Sequence, residues 1–275
     1  MCYAPHGGLI ATAHLDGRVR IWDVGDLSLK TSFHEERRFV YGSIAFSPDG
    51  LWLAAGTMTG QVNVWDPRSG QKVWERGRHQ GYVYTVGFGR DSRTLLSGSD
   101  DGVGYLWDVR PKENSTKEPA ALWDDLNGMD GKATYSAMWA LAVTPDKAIA
   151  LFRDKLRPEP AVDPARVRKL ITELDDPKFA TRSAAQAELS KLGARAAAPL
   201  REALAKAAST EQRDRLNKLL EDIKAAARPA ELRNRRAITV LSWIGTADAR
   251  ALLEEWSKAD PEGSLGGPAG DLLKR

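Results

Sequence analysis

Cysteine occurs once in these 275 residues, at Cys2. No internal disulfide can therefore brace the chain, and its fold must rest on packing. Long apolar runs are missing too: none approaches the roughly 18 residues of a membrane span. The opening MCYAPHGGLIATAH lacks the basic start and long apolar stretch of a secretory signal. From these absences the expected location is cytoplasmic. Nor does one sign of charge dominate. Through Arg110 there are 12 Lys+Arg against 12 Asp+Glu, and beyond it 28 against 25, short of the basic excess of a dedicated nucleic-acid binder. The chain contains no GxxxxGK[ST], GxSxG or HExxH, so neither enzymatic activity nor a cofactor is expected. Cys2, His6 and His14 are conceivable metal ligands, but their spacing matches no familiar zinc pattern, and no metal is expected.

What is present is a repeat. YAPHGGLIATAHLDGRVRIWD (3–23), FSPDGLWLAAGTMTGQVNVWD (46–66) and FGRDSRTLLSGSDDGVGYLWD (88–108) align without a gap, and Trp22, Trp65 and Trp107 stand 43 and 42 residues apart. Each copy has an aromatic residue entering a turn, a short apolar strand (Leu51–Gly56, Thr94–Gly98), and a tight turn at Asp16-Gly17, Thr59-Gly60 or Asp101-Gly102. A strand of period two follows, ending in Trp22-Asp23, Trp65-Asp66 or Trp107-Asp108. Leu27–Phe33 and Gln71–Glu75 read as outer strands, and Val40–Phe46 and Tyr82–Phe88 as inner strands of the next units.

Residues 1–110 thereby resemble the WD-repeat family of β-propellers, over 40% of the chain. The resemblance implies about two and a half four-stranded blades. It also implies a structural tetrad of His, Ser/Thr, Asp and Trp, whose candidates in the third repeat are His79, Ser97 or Ser99, Asp101 and Trp107. The second repeat has Thr59 in place of the Asp and Arg37 in place of the His, which predicts a less rigid blade. No activated nucleophile accompanies His79 and Asp101, so a structural role is expected of them. Partners of this family often dock on the face nearest the tetrads, which implies a protein-binding surface at Arg38, Thr57, Gln80, Tyr82 and Ser99.

Propellers close with about four to eight blades, so the repeat count implies missing blades. Three explanations are open: a fragment of a larger WD-repeat protein, a second chain supplying the rest, or self-association.

From about Ala120 the period changes to 3.6: Val167, Leu170, Ile171 and Leu174, then Leu216, Leu219, Leu220 and Ile223, then Ala249, Leu252, Leu253 and Trp256. About eight helices are expected, the first near 121–127, 132–143 and 145–156. Asp163-Pro164, Asp176-Pro177 and Ser209–Gln212 are start signals, and Gly193 and Gly245 stop signals. Leu174–Ala207 resembles a HEAT-like helical pair, and the half as a whole resembles the helical extension after WD repeats in some large bacterial proteins. Arg166, Arg168, Lys169, Arg233, Arg235 and Arg236 are expected on solvated helix faces among acids, and Trp139, Trp243 and Trp256 in the core.

The expected fold class is therefore mixed: a partial all-β propeller at 1–110, a linker at 111–119, an all-α HEAT-like domain at 120–262 and a loose tail at 263–275. The expected function is a non-catalytic protein–protein interaction scaffold. Alternatives are a regulatory tail of a larger signalling enzyme such as a kinase, and nucleic-acid binding by the helical half.

Overall fold

The computed structural model describes residues 1–5, 8–34, 41–111, 115–158, 162–207, 210–261 and 263–274. His6, Arg37, Arg38 and Ser209 lie outside these residues, so their expected roles have no structural counterpart here.

Three antiparallel sheets carry the repeats. The first pairs β1 (Cys2–Tyr3), β2 (Leu9–Ala13), β3 (Arg18–Asp23) and β4 (Leu29–His34) in that order. The second pairs β5 (Tyr41–Phe46), β6 (Leu53–Thr57), β7 (Gln61–Trp65) and β8 (Lys72–Gly77). The third holds β9 (Val83–Phe88), β10 (Thr94–Ser99) and β11 (Gly104–Asp108). The repetition extends to irregularities: β3–β4 and β7–β8 shift register at the equivalent Ile21/Trp22 and Val64/Trp65 steps. Gly17, Gly60 and Gly102 all take a left-handed φ near +80° in the second turn, which glycine adopts without steric cost.

Neighbouring blades meet face to face. Ala11, Val19 and Ile21 of the first blade share a core cluster with Ile44, Leu53, Ala55 and Trp65 of the second. Polar ties reinforce the stack: Thr31 Oγ1 donates to Arg68 O at 3.2 Å, and the Val86 amide donates to Ser43 Oγ at 3.2 Å. Ser92 holds a left-handed φ of 53° without being glycine. Its hydroxyl accepts from the Asp49 amide of the preceding blade at 3.1 Å, which offsets some of the backbone strain.

Helices follow: α1 (Pro119–Asn127), α2 (Gly131–Ala142), α3 (Pro145–Lys155), α4 (Pro164–Glu173), α5 (Phe179–Leu192), α6 (Ala197–Ala205), α7 (Thr210–Ile244), α8 (Ala247–Ala259) and α9 (Gly266–Leu273). Asp163 caps α4 through the Ala165 amide with Pro164 in the first turn, and Gly193 caps α5. Asp176 does not cap α5: it accepts from the Lys178 amide, and the helix starts at Phe179.

The compact units divide elsewhere than at the change of period. One comprises Met1–Leu151 with Thr239–Thr246, the other Phe152–Ile238 with Ala247–Arg275. In the first, α2 packs on β8 and its Lys132 amide donates to Gln71 Oε1 at 3.1 Å. Tyr135 donates its hydroxyl to Val109 O and meets Trp52 edge to face at 4.8 Å. The Trp139 ring stacks on Trp243 at 4.2 Å with the Arg93 guanidinium 5.8 Å from its centroid, and Trp243 Nε1 donates to Asp91 O at 3.0 Å. The first helices thus pack with the blades, where the sequence places a boundary at 111–119.

In the second unit Val167, Leu189, Leu200, Leu216 and Ile223 share one core. The stretch read as a loose tail contains α9, whose Ala269 is buried. A Cβ on Gly266 would lie 2.0 Å from Asp260 O and 2.4 Å from Trp256 O, so glycine here permits the close approach to α8. Arg236 is a further correction: it is 3% exposed, not part of a solvated stripe. On α4, Arg166 pairs with Glu188 and Lys169 with Glu173 at the surface.

Candidate functional site

The third blade gathers four polar side chains into a relay. Trp107 Nε1 donates to Ser97 Oγ at 2.8 Å, Ser97 Oγ lies 2.8 Å from His79 Nε2, and His79 Nδ1 lies 3.0 Å from Asp101 Oδ2. An indole N–H can only donate and an ionised carboxylate can only accept. The direction is therefore set in the neutral ring: Trp107 gives to Ser97, Ser97 to His79 Nε2, and His79 carries its proton on Nδ1 toward Asp101. Asp101 also accepts from the amides of Gln80 at 2.9 Å and Val103 at 2.9 Å. Loss of water raises its pKa, but these amides and the His79 ring outweigh that, and the carboxyl sits below its ordinary value. Of the two serine candidates Ser97 joins the relay, whereas Ser99 Oγ accepts the Asp101 amide at 3.2 Å in the turn.

The other blades carry different versions. In the first, Trp22 Nε1 donates to Thr12 Oγ1 at 2.8 Å, and Thr12 Oγ1 lies 2.8 Å from His14 Nε2. Asp16 instead pairs with Arg20. In the second, Ala55 occupies the place of Thr12 and Ser97 in the aligned repeats, and the buried Trp65 Nε1 has no hydrogen-bond partner among the described residues. Thr57 Oγ1 there accepts the Gln61 amide at 3.0 Å and lies 3.1 Å from Thr59 Oγ1. The Thr12/Ala55/Ser97 column is visible in the sequence, and a search for the relay's histidine and aspartate alone passes over it.

The relay holds up a surface loop. Asp101 takes the Gln80 amide and Asp100 Oδ1 takes the Tyr82 amide at 2.6 Å, so two consecutive carboxylates pin residues Arg78–Tyr82. Gly60 approaches this loop so closely that a Cβ would lie 2.1 Å from His79 O. Arg78 lies 4.7 Å from the Tyr105 ring, and Tyr82 stacks on Tyr84 at 4.6 Å and 16°. Of the residues expected on a docking face, Gln80 is exposed and Tyr82 and Ser99 half-buried. Thr57 is 0% exposed and leaves that list, its hydroxyl being committed to the hairpin. Met58, Thr59 and Tyr84 are the exposed residues nearby in sequence.

Elsewhere, Cys2 is half-buried, burial pushing its thiol pKa up, and the described residues hold no group of three or more His, Cys, Asp or Glu able to hold a metal ion. In the second unit a cleft of about 350 Å³ is lined by Lys155, Arg157, Lys191, Arg195 and Arg233 together with Glu231 and Asp260. Lys191 is already paired with Glu188 at 2.9 Å.

The WD domain, G-beta repeat family model matches residues 1–23, 28–66 and 70–108. Pre-mRNA-processing factor 19 homolog 2 of Arabidopsis thaliana is 32% identical over 111 residues, 40% of this chain and 21% of that protein. WD repeat-containing protein 1 of Gallus gallus is 32% identical over 103 residues, 36% of this chain and 17% of that protein. The chain thus spans about a fifth of the length of these relatives. Among solved structures, a chain of a mitotic checkpoint complex matches 40% of this chain and 32% of its own length at 26% identity, with a TM-score of 0.36.

Proposed function

We propose that this chain is a non-catalytic protein-interaction scaffold, and that its docking surface is the blade end built around the Arg78–Tyr82 loop. The pinning of that loop by Asp100 and Asp101 carries the reading. A loop fixed in advance loses little entropy on binding, and stacked tyrosines beside exposed Gln80 are the rigid amphipathic anchors that dominate interface energies. The WD-repeat relatives support the same class, since such repeats in general present docking surfaces. The relay is read as structural, because its members are committed to one another in a continuous chain from Trp107 through Ser97 and His79 to Asp101. We further read α5 and α6 as a HEAT-like helical pair, supported by Leu189 and Leu200 meeting in one core.

A photo-cross-linker placed at Gln80 is expected to trap protein in its native cell far more efficiently than one at exposed Lys147 on α3. Replacing Tyr82 and Tyr84 by Ala is expected to abolish that capture. Equal trapping at the two positions would sink this face.

A further inference from the structure

The cleft of about 350 Å³ in the second unit gathers charge of one sign. Lys155 ends α3 and Arg157 follows it, Lys191 and Arg195 flank the end of α5, and Arg233 comes from α7. Among the described lining residues only Glu231 and Asp260 oppose these five cations, although the whole chain has 40 Lys+Arg against 37 Asp+Glu. Cations crowded into a recess repel one another and raise the local concentration of anions.

The backbone holds this arrangement in place. Gly193 takes a left-handed φ of 57°, which turns the chain between Lys191 and Arg195 and returns both to the same recess. Arg195 Nε donates to Leu192 O at 3.3 Å, which anchors its side chain. Asn234, 7% exposed, donates from Nδ2 to Ser264 Oγ at 2.8 Å. That hydroxyl accepts there and keeps its own proton to give. Beside the polar groups the wall is apolar: Leu156, Ile223 and Leu265 line the same cleft and are 4–5% exposed.

We infer that this cleft binds a phosphate monoester carried on a small apolar body. Its volume lies at the lower end of the range of about 300–1,000 Å³ for small-molecule sites. A phosphate monoester brings a charge of about −1.5 to −2 at neutral pH on three strong acceptor oxygens. A carboxylate brings one charge. The denser anion suits a recess in which Arg157, Arg195 and Arg233 present guanidinium forks, whose paired N–H groups match phosphate oxygens two at a time. Leu156, Ile223 and Leu265 offer the organic part a dry wall. A free metabolite and a phosphorylated side chain of a partner share this chemistry. The inference is independent of the docking loop on the blades.

Calorimetric titration of the full chain with phenyl phosphate is expected to show one saturable site. Benzoate, with the same ring and a single charge, is expected to bind about tenfold more weakly or worse. Lys155→Gln/Arg157→Gln changes two exposed positions, so the circular dichroism spectrum should stay the same while phenyl phosphate affinity falls about tenfold or more. Arg250→Gln, which alters a surface pair with Glu254 on α8, is expected to leave the affinity unchanged. Free phosphoserine and a phosphoserine peptide should both displace phenyl phosphate; the tighter of the two assigns the site to a metabolite or to a modified partner, and either upholds it. Absence of a saturable site, benzoate binding as tightly as phenyl phosphate, or full affinity in the Lys155/Arg157 variant would overturn the inference. So would a short single-stranded oligonucleotide that outcompetes both phosphoserine probes, which would give the cleft to nucleic acid.

Discussion

Trp65 stands in the second blade where Trp107 stands in the third, yet only Trp107 finds an acceptor: Ser97 Oγ at 2.8 Å, where the second blade has Ala55. A buried donor left unmade costs on the order of 1–3 kcal/mol. The blade with both neighbours in place thus carries the weakest polar interior, and its order rests on burial of Leu53, Ala54, Val62 and Val64.

Ala55→Ser is expected to stabilise the protein by about 1 kcal/mol, since it supplies the missing acceptor with one small atom. Urea denaturation followed by tryptophan fluorescence would measure it. An unchanged or lower midpoint would mean that Trp65 Nε1 does not gain a bond.

Ser97→Ala should cost about 1–3 kcal/mol, because it strips Trp107 and His79 of their shared partner inside the blade. Ser99→Ala, which loses the turn contacts of its hydroxyl with Asp100 and the Asp101 amide, should cost less, about 1 kcal/mol or under. Equal losses would show that the relay is not the stabilising network.

Acid is expected to loosen the blades. Asp26 is held at about 2, chiefly by the hydroxyl and amide of Ser28, and Asp16 is lowered first by its bond to Arg20. For Asp91 and Asp101 loss of water raises the pKa, but hydrogen bonds outweigh it and the net shift is downward. A folded value below the unfolded 3.8 means that the stabilisation is complete above that pH and is lost as pH falls through the folded values. Tryptophan fluorescence should report loosening from about pH 4 toward pH 2, with a shallower dependence in Asp101→Asn.

Gly60→Ala and Gly102→Ala make a matched pair. Both positions have φ near +80°, but a Cβ at Gly60 meets His79 O at 2.1 Å while Gly102 has nothing within 4 Å. The common backbone strain should cost about 1 kcal/mol in each. Only Gly60→Ala should also displace the Arg78–Tyr82 loop, read as faster amide exchange at Gln80 and Tyr82.

Much of this architecture is legible in the residues. The gapless alignment locates the strands, and Asp163-Pro164 and Gly193 mark helix ends that the structure keeps. What escapes has a common cause: long-range packing overrides local pattern. Gly266 and Gly270 disfavour a helix by propensity, yet α9 forms there because the missing side chains admit α8. Thr57 looks like a surface turn residue, but its hydroxyl closes the hairpin and its side chain is covered. Arg236 belongs to a run that reads as solvated, and burial separates it from that run. Likewise the period change near Ala120 marks where strands end, which is not where the compact unit ends, because Tyr135 and Trp139 belong to the blades' own packing.

The bond from Trp243 to Asp91 O joins residues 152 positions apart, and this bears on how the chain is made. At a synthesis rate of about 5–20 residues per second, the third blade waits roughly 8–30 s before the tryptophan that stacks on Trp139 has been added. From the addition of Trp139 until Trp243 follows it, that ring lacks the partner it stacks on in the finished fold.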